Sequence, residues 1–560
     1  MMPVPMLLRG ALRRSVRAAA AVDSSVARSQ RMRFSSDVQK AHEQARKWQS
    51  QNLEDKAKYL SIRVDRSGLK QPMEAPPVDL DAANKTKETD LVHILRTMIE
   101  VKGPLTVAEF MQRALGHPQH GYYMKKDVFG VKGDFTTAPE ISQMFGELIG
   151  VWCVATWQQM GMPSAIKIVE MGPGRGSLMS DFLRAARSFP PFYQALEIHM
   201  VEMSPALREI QQKTLGCVPL EDGGASATAH KMRLPDGPTI QWHEEFANVP
   251  HGPSLYVAQE LFDALPVHQF EYTNKGWCER LVDVDYTAET EDHFRFVLSP
   301  GPTPATRVYI GRQKLFDPNS ALHGRIENAN EGYVPPIQRL DVEDTSAPVT
   351  TAQAKVGDRI EISPVSIALV QDISKRISQH GGGALIVDYG YDHPSELSLR
   401  GIQAHKFVSV LREPGEVDLS IDVDFATLRK YATVEQGVHA FGPIGQGDFL
   451  KAMGIEHRLA MLLENCETES EQEDLFSAYE RLVNADQMGS IFKAIAITNT
   501  QIGRPVGFEQ AQETIEGKQY LLAAMRAASS ASDESCSFSS DTKWATNGNV
   551  STDAFLLPTS

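Results

Sequence analysis

The stretch IKIVEMGPGRGSLMSDFLRA, Ile166 to Ala185, decides the fold. Ile166, Ile168 and Val169 read as a buried strand, and Glu170 lies two residues before Gly172. Gly172, Gly174 and Gly176 make a turn, and a helix begins at Ser177, which the spacing makes its N-cap. Glycines are needed where a strand reverses tightly into a helix and a ligand must touch the backbone. A dinucleotide site would carry G-x-G-x-x-G. The spacing here is G-x-G-x-G with an acid just upstream. That form suits S-adenosylmethionine, which has no pyrophosphate to seat but has a charged amino-acid end. A plain tight turn with no ligand is the alternative.

The next segment supports the ligand reading. A mostly apolar run, Ile198 to Val201, ends in Glu202 and is followed by Ser204-Pro205 and the helix ALREIQQKTL. Ser204 suits the cap and Pro205 the first helical position. An acid at the tip of the second strand lies beside the glycine turn, where its carboxylate can accept from both hydroxyls of a ribose. It could also simply favour the helix N-terminus.

Further strands are expected at Ile240–His243, Ser254–Gln259, Ala384–Gly390 and Phe492–Asn499, with helices between most of them. Alternating strands and helices imply a parallel sheet covered on both faces. The expected class is α/β: a doubly wound Rossmann-like sheet with an N-terminal helical region and an insertion between strands four and five, which the S-adenosylmethionine reading of the turn makes a seven-stranded methyltransferase sheet. Ser363, Pro364 and Gly381–Gly383 bracket the helix before strand five. Thr89–Leu115 has helical spacing, and a second helix is expected from Ser142 to about Gln159. The domain expectations are a leader over 1–35, a polar lead-in over 36–87 and a helical lid region over 88–160. The methyltransferase domain follows over 161–525, with its insertion at about 270–359, and then a disordered tail over 526–560.

Strand four runs into YVAQELFDALPVHQF, which puts Gln259, Glu260 and Asp263 at the carboxyl edge, across the switch point from the glycine turn. A guanidinium stays protonated at any working pH. Paired carboxylates can clamp it and localise its charge away from an attacking nitrogen. Equally, the two acids could cap or salt-bridge the local turn. Asp388, at the end of strand five, could share the pocket or act as a capping acid.

Composition removes several classes. The chain is 42% apolar and 23% charged, as in ordinary globular proteins, and its net charge of −15 argues against a nucleic-acid binder. Five scattered cysteines with no C-x-x-C pair support neither a disulfide framework nor a cysteine-rich zinc site, and no metal is expected. No run is apolar enough to span a bilayer. The first 35 residues hold seven arginines and one aspartate, Asp23, among Ala, Ser and Val, the composition of a mitochondrial transit peptide. Arg33-Phe34-Ser35-Ser36 resembles a matrix-protease cleavage neighbourhood. Removing those residues takes the net charge from −15 to −21.

Several strings together resemble the MidA family: GDFTTAPEIS (Gly133–Ser142), VEMGPGRGSLMSDFLRA, HMVEMSPALREIQ, ELFDALPVHQF, ALIVDYGY, PGEVDLSIDVDF (Pro414–Phe425) and QMGSIFKAIAI. The likeness covers roughly Asp90 to Gly507, in family order, and is strongest to the mitochondrial branch. It implies methyl transfer from S-adenosylmethionine to an arginine of a respiratory complex I subunit in the matrix, assisting assembly of that complex. It also implies cofactor contacts by Glu170, Gly172, Gly174, Gly176 and Glu202, with Glu260 and Asp263 as the catalytic-face acids. Gln259 stands where the family more often has Asn, and Pro302–Val356 matches nothing in the family pattern. A small-molecule methyltransferase and a non-catalytic assembly scaffold are the competing readings. The sequence does not give the oligomeric state.

Overall fold

The computed structural model describes residues 86–125, 136–219, 230–235, 237–287, 291–310 and 354–508. The expected leader, almost all of the lead-in, the tail and most of Pro302–Val356 lie outside the described residues. Seven strands carry the main sheet: β1 (Ile166–Met171), β2 (Leu196–Val201), β3 (Thr239–His243), β4 (Ser254–Gln259), β5 (Gly382–Tyr391), β6 (Val438–Gly445) and β7 (Phe492–Asn499). Their order across the sheet is β6-β7-β5-β4-β1-β2-β3. The sheet has ten strands in all. Beyond β3 come His230–Arg233 and Val218–Pro219, both antiparallel, and Val423–Asp424 pairs with the end of β5.

The sheet is therefore mixed, not parallel throughout. β1 to β5 pair in parallel, but β7 runs antiparallel to both β5 and β6. The pattern of apolar residues could not show this, because a strand buried on both faces reads the same in either direction. Two apolar cores sit on opposite faces. Ile168, Val257, Leu385 and Ala496 face helices Gln143–Gln159 and Ser177–Ala186 on one side. Val169, Tyr256, Ile386 and Ile497 face helices Pro364–His380 and Phe425–Ala432 on the other. Every side chain from Met144 to Trp157 is buried, which explains why that helix shows no polar stripe. Each large apolar side chain so buried contributes about 1.5–3 kcal/mol before the entropy of ordering is subtracted.

The helical spacing over Thr89–Leu115 belongs to two helices. Gly103, with φ of 89°, and Pro104 break it, and Leu105–Thr106 becomes an edge strand between Asp90–Lys102 and Val107–Gly116. That strand pairs with Gly276–Val284, in a five-stranded antiparallel sheet with His268–Thr273, Phe294–Leu298 and Arg359–Ile362. The segment read as an insertion and the N-terminal helices thus share one core, around Leu95, Phe110, Val282 and Phe294. Leu419 and Ile421 join it from a small sheet of Arg400–Gln403, Lys406–Val408 and Asp418–Ser420. This second unit lies over the carboxyl edge of the main sheet, as the Ile421 amide shows by donating to the Asp263 carbonyl at 3.0 Å.

Candidate active site

The glycine turn, through Gly172 and Gly174, lines a cavity of about 1660 Å³ at the carboxyl ends of β1 and β4. Gly172, Gly174 and Gly176 have φ of 67°, 52° and 82°, all in the left-handed region that a side chain disfavours. Gly176, not Ser177, occupies the N-cap position of the following helix and offers no side-chain cap, so Ser177 is the first helical residue. The first helical amides are left for a ligand or water. Ser204 and Pro205 take the expected cap and first positions of their helix.

Glu170 and Glu202 both line the cavity and are almost fully buried. Burial pushes the Glu170 carboxyl up to about 8, and its Oε2 has no hydrogen-bond partner. Burial also raises Glu202, to about 7, against donation from the Ser204 amide to Oε1 at 2.8 Å and from Gln211 to Oε2 at 3.2 Å. Glu202 thus engages the helix start, which is one of its two readings, and also lines the cavity. Sequence reasoning missed Gln211. Its amide donates to the Gly174 carbonyl at 2.8 Å, and its oxygen accepts from the Trp242 indole at 2.8 Å. One side chain therefore ties the glycine turn, the β2 tip and β3 together. Only the fold shows this, because in the sequence Gln211 is one glutamine of a pair. We expect Gln211→Met to weaken S-adenosylhomocysteine binding about tenfold, about 1.4 kcal/mol, measured by calorimetry. Unchanged affinity would show that the turn holds itself.

β4 delivers the acids on the opposite wall. Glu260 follows it with φ of 49°, strained for a residue with a side chain. Asp388 holds the strain in place. Its Oδ2 accepts from the successive amides of Leu261, Phe262 and Asp263 at 3.1, 2.9 and 3.3 Å, an anion nest built by the turn itself. Asp388 is fully buried and is not a wall of the cavity, so it is the capping acid of the two readings. Glu260 Oε1 accepts from the Ala138 amide at 3.1 Å and from Gln259 Nε2 at 2.7 Å. Burial lifts the Glu260 carboxyl to about 7, partly offset by Ala138, Gln259 and Arg481. Asp263 is raised by burial, against the Tyr389 hydroxyl and the Arg400 guanidinium, and its Oδ1 has no partner. Tyr389 and Arg400 are pocket residues that sequence reasoning passed over, and Tyr123, one of a tyrosine pair in the loop before GDFTTAPEIS, lines the same cavity. Tyr389 was visible beside Asp388 in ALIVDYGY, but nothing local marked it.

The unpartnered Glu170 Oε2 and Gln259 Oε1 fit a ligand that brings N–H donors, such as the α-ammonium of S-adenosylmethionine. The raised acids also set a pH dependence. A carboxyl whose folded pKa lies above its unfolded value stabilises the fold while protonated, and that stability is lost as pH rises through the folded pKa. With Glu202 and Glu260 near 7 and Glu170 near 8, the melting temperature of the ligand-free protein should fall from pH 6 to pH 8.5. Glu170→Gln should flatten the slope above pH 7. A melting temperature that rises over that window would contradict the assignment. Among the described residues no cluster of side chains could hold a metal ion, and no helix is long and apolar enough to cross a membrane.

The family model Methyltransf_28, of S-adenosyl-L-methionine-dependent methyltransferases, matches residues 148–444. The chain is 38% identical over 422 residues to "Protein arginine methyltransferase NDUFAF7, mitochondrial" of Mus musculus, covering 74% of this chain and 86% of that protein. The Homo sapiens protein of that name is 37% identical over 424 residues, covering 74% and 86%. The Drosophila melanogaster homolog is 36% identical over 447 residues, covering 78% and 92%. A Burkholderia thailandensis crystal structure with bound S-adenosylhomocysteine superposes with a TM-score of 0.55 at 22% identity, covering 78% of this chain and 97% of that one, and so shares the fold. The glycine turn, the acid at the β2 tip and the acids after β4 thus lie in a chain that belongs to the MidA-like family of S-adenosyl-L-methionine-dependent methyltransferases.

Proposed function

We propose that this chain is a protein arginine methyltransferase that modifies a respiratory complex I subunit in the mitochondrial matrix and so supports assembly of that complex. The arginine specificity rests on the names of its relatives and on the acids at the β4 tip. The mitochondrial address rests on those names and on the arginine-rich leader. The matrix location and the complex I partner rest on the leader and the family resemblance. The observation that carries the enzymatic reading is Asp263 Oδ1, a buried carboxylate oxygen with no partner, one turn from Glu260 on the wall of the cavity that the glycine turn opens into. Cavities that bind one small molecule usually hold about 300–1,000 Å³. This one is larger and is lined by Met203, Phe407 and Tyr391, which are 55%, 53% and 40% exposed. Those features suit a polypeptide acceptor better than an enclosed metabolite.

In this reading Glu170, Gly172, Gly174, Gly176, Glu202 and Gln259 hold the cofactor, which supplies an electrophilic methyl group when bound. Glu260 and Asp263 are the catalytic pair. They hold the acceptor guanidinium and draw its positive charge toward the nitrogens that do not react. Glu260, at about 7, is poised to take the proton that the methylated nitrogen loses. The reading also takes β1 to β7 as a doubly wound seven-stranded unit, supported by the apolar cores on both faces, with the three short strands as additions. It keeps the leader over 1–35, the lid region over 88–160 and the methyltransferase domain over 161–525.

The test is methyl-labelled cofactor with mitochondrial extract. Label recovered as methylarginine in protein supports the proposal, and label in an acid-soluble product other than the cofactor favours a small-molecule acceptor. Bound S-adenosylhomocysteine with no label anywhere favours a scaffold. For the leader, N-terminal sequencing of the organellar protein should find a start near residue 36, and an intact Met1 or Met2 would refute cleavage.

A further inference from the structure

The string PGEVDLSIDVDF entered the resemblance without a role for its serine. Ser420 ends the strand Asp418–Ser420, is 2% exposed and lines the same cavity as Glu260 and Asp263. Its Oγ has no hydrogen-bond partner, like Asp263 Oδ1. A buried hydroxyl left unpaired is costly, so a pair of such atoms in one compartment points to a missing ligand. The backbone fixes the two side by side, because the next residue, Ile421, donates to the Asp263 carbonyl at 3.0 Å. The Tyr389 hydroxyl interacts with both side chains and lowers the Asp263 carboxyl, yet neither Ser420 Oγ nor Asp263 Oδ1 makes a hydrogen bond of normal geometry.

The neighbouring groups are occupied elsewhere. Arg400 pairs with Asp422 at 2.8 Å and stacks 4.7 Å over the Tyr389 ring, so it backs the tyrosine. Tyr123 donates to Asp418 Oδ1 at 2.9 Å. Oε1 of Glu260 already has two donors. A guanidinium has five N–H donors in a rigid fork, more than Glu260 alone can receive. Resting on the arginine methyltransferase reading, we propose that Ser420 is an acceptor-binding residue: with Asp263 it receives the edge of the guanidinium that is not being methylated. Ser420 thereby selects a planar, forked cation over the single ammonium of lysine. A small hydroxyl suits the place, since its oxygen can accept from the guanidinium without filling the compartment. The acceptor compartment is then built jointly: the main sheet supplies the acids and the overlying unit supplies the hydroxyl.

The experiment uses the full mature chain, methyl-labelled cofactor and serial dilutions of extract from mitochondria lacking the endogenous enzyme. Ser420→Ala should raise the apparent KM for extract protein about tenfold, as for one lost hydrogen bond to a charged group. The maximal rate, the melting temperature and S-adenosylhomocysteine affinity should change little. Ser420→Thr keeps the hydroxyl and should recover most of the wild-type KM. A wild-type KM in Ser420→Ala, in an enzyme that does label arginine, overturns this inference alone. Parallel losses of stability and cofactor affinity that Thr does not repair also overturn it, because they mark a structural serine. Failure of the wild type to label arginine removes the underlying function instead.

Discussion

Glu260→Gln and Asp263→Asn should each lower arginine methylation about tenfold to a hundredfold while leaving cofactor affinity nearly intact. Each substitution keeps shape and removes a charge that faces the acceptor. Loss of one charge-assisted contact costs about 1.5–3 kcal/mol, and 1.36 kcal/mol in the barrier is tenfold in rate. The structure sharpens the test, because it separates the acids that face the cavity from the acid that holds the turn. Asp388 receives three successive amides of the turn, so Glu260 and Asp263 are not needed for that task. Glu260→Gln retains an oxygen for the Ala138 amide, and removing a buried carboxyl of raised pKa should not lower the melting temperature at pH 8. Methylation, melting temperature and calorimetric affinity should be read on the same preparations. Wild-type turnover in both variants would take these acids out of the mechanism. Complex I assembly that survives without any methylation would support the scaffold reading.

Gly174→Val should abolish binding of S-adenosylmethionine, raising Kd more than a hundredfold. The backbone there has φ of 52°, which a β-branched residue adopts only with strain. The Gly174 carbonyl is also the anchor that Gln211 grips. A shift of the turn would therefore loosen the Glu202 contact as well as crowd the ligand. The far wall, from β4 to Asp388, does not depend on this residue, so the variant should remain folded. Titration with S-adenosylhomocysteine checks the outcome, with thermal melting as the control. Retained affinity would mean that the ligand does not approach the turn. NAD binding in its place would contradict the reading of the G-x-G-x-G spacing.

Much of the main sheet was legible because its signals are local. β1, β2, β3, β4, β5 and β7 were placed from apolar runs bounded by glycine, proline and capping residues, and Ser204 and Ser363 cap where expected. β6 was not, since Val438–Gly445 is exposed or half-buried beyond its first residue and carries Gly442 and Pro443. Ser177 was misread as a cap because a positive φ at Gly176 cannot be seen in a sequence that offers serine next door. Helical spacing runs on both sides of Gly103-Pro104, and only that dipeptide marks the break between the two helices, since glycine and proline are disfavoured in helix interiors.

The site divides along the same physical line. Glu170, the three glycines and Glu202 were readable because each is fixed by its own strand end. Strand, turn and helix follow within a few residues, so neighbouring residues determine where these groups point. The roles of Asp388, Gln211, Tyr389 and Ser420 had to wait for the tertiary structure. Their surroundings come from far off in sequence: Leu261 to Asp263 for Asp388, Gly174 and Trp242 for Gln211, Asp263 for Tyr389, and the Ile421–Asp263 backbone bond beside Ser420. The sequence by itself determined a strand–glycine turn–helix at a sheet edge and the acids beside it, because short-range sterics and hydrogen bonding dictate those. Only the packing of the overlying unit against the sheet decided which acid braces the turn and which oxygens stay unpaired. Burial and long-range contact set charge and hydrogen-bond supply, and neither has a local signature.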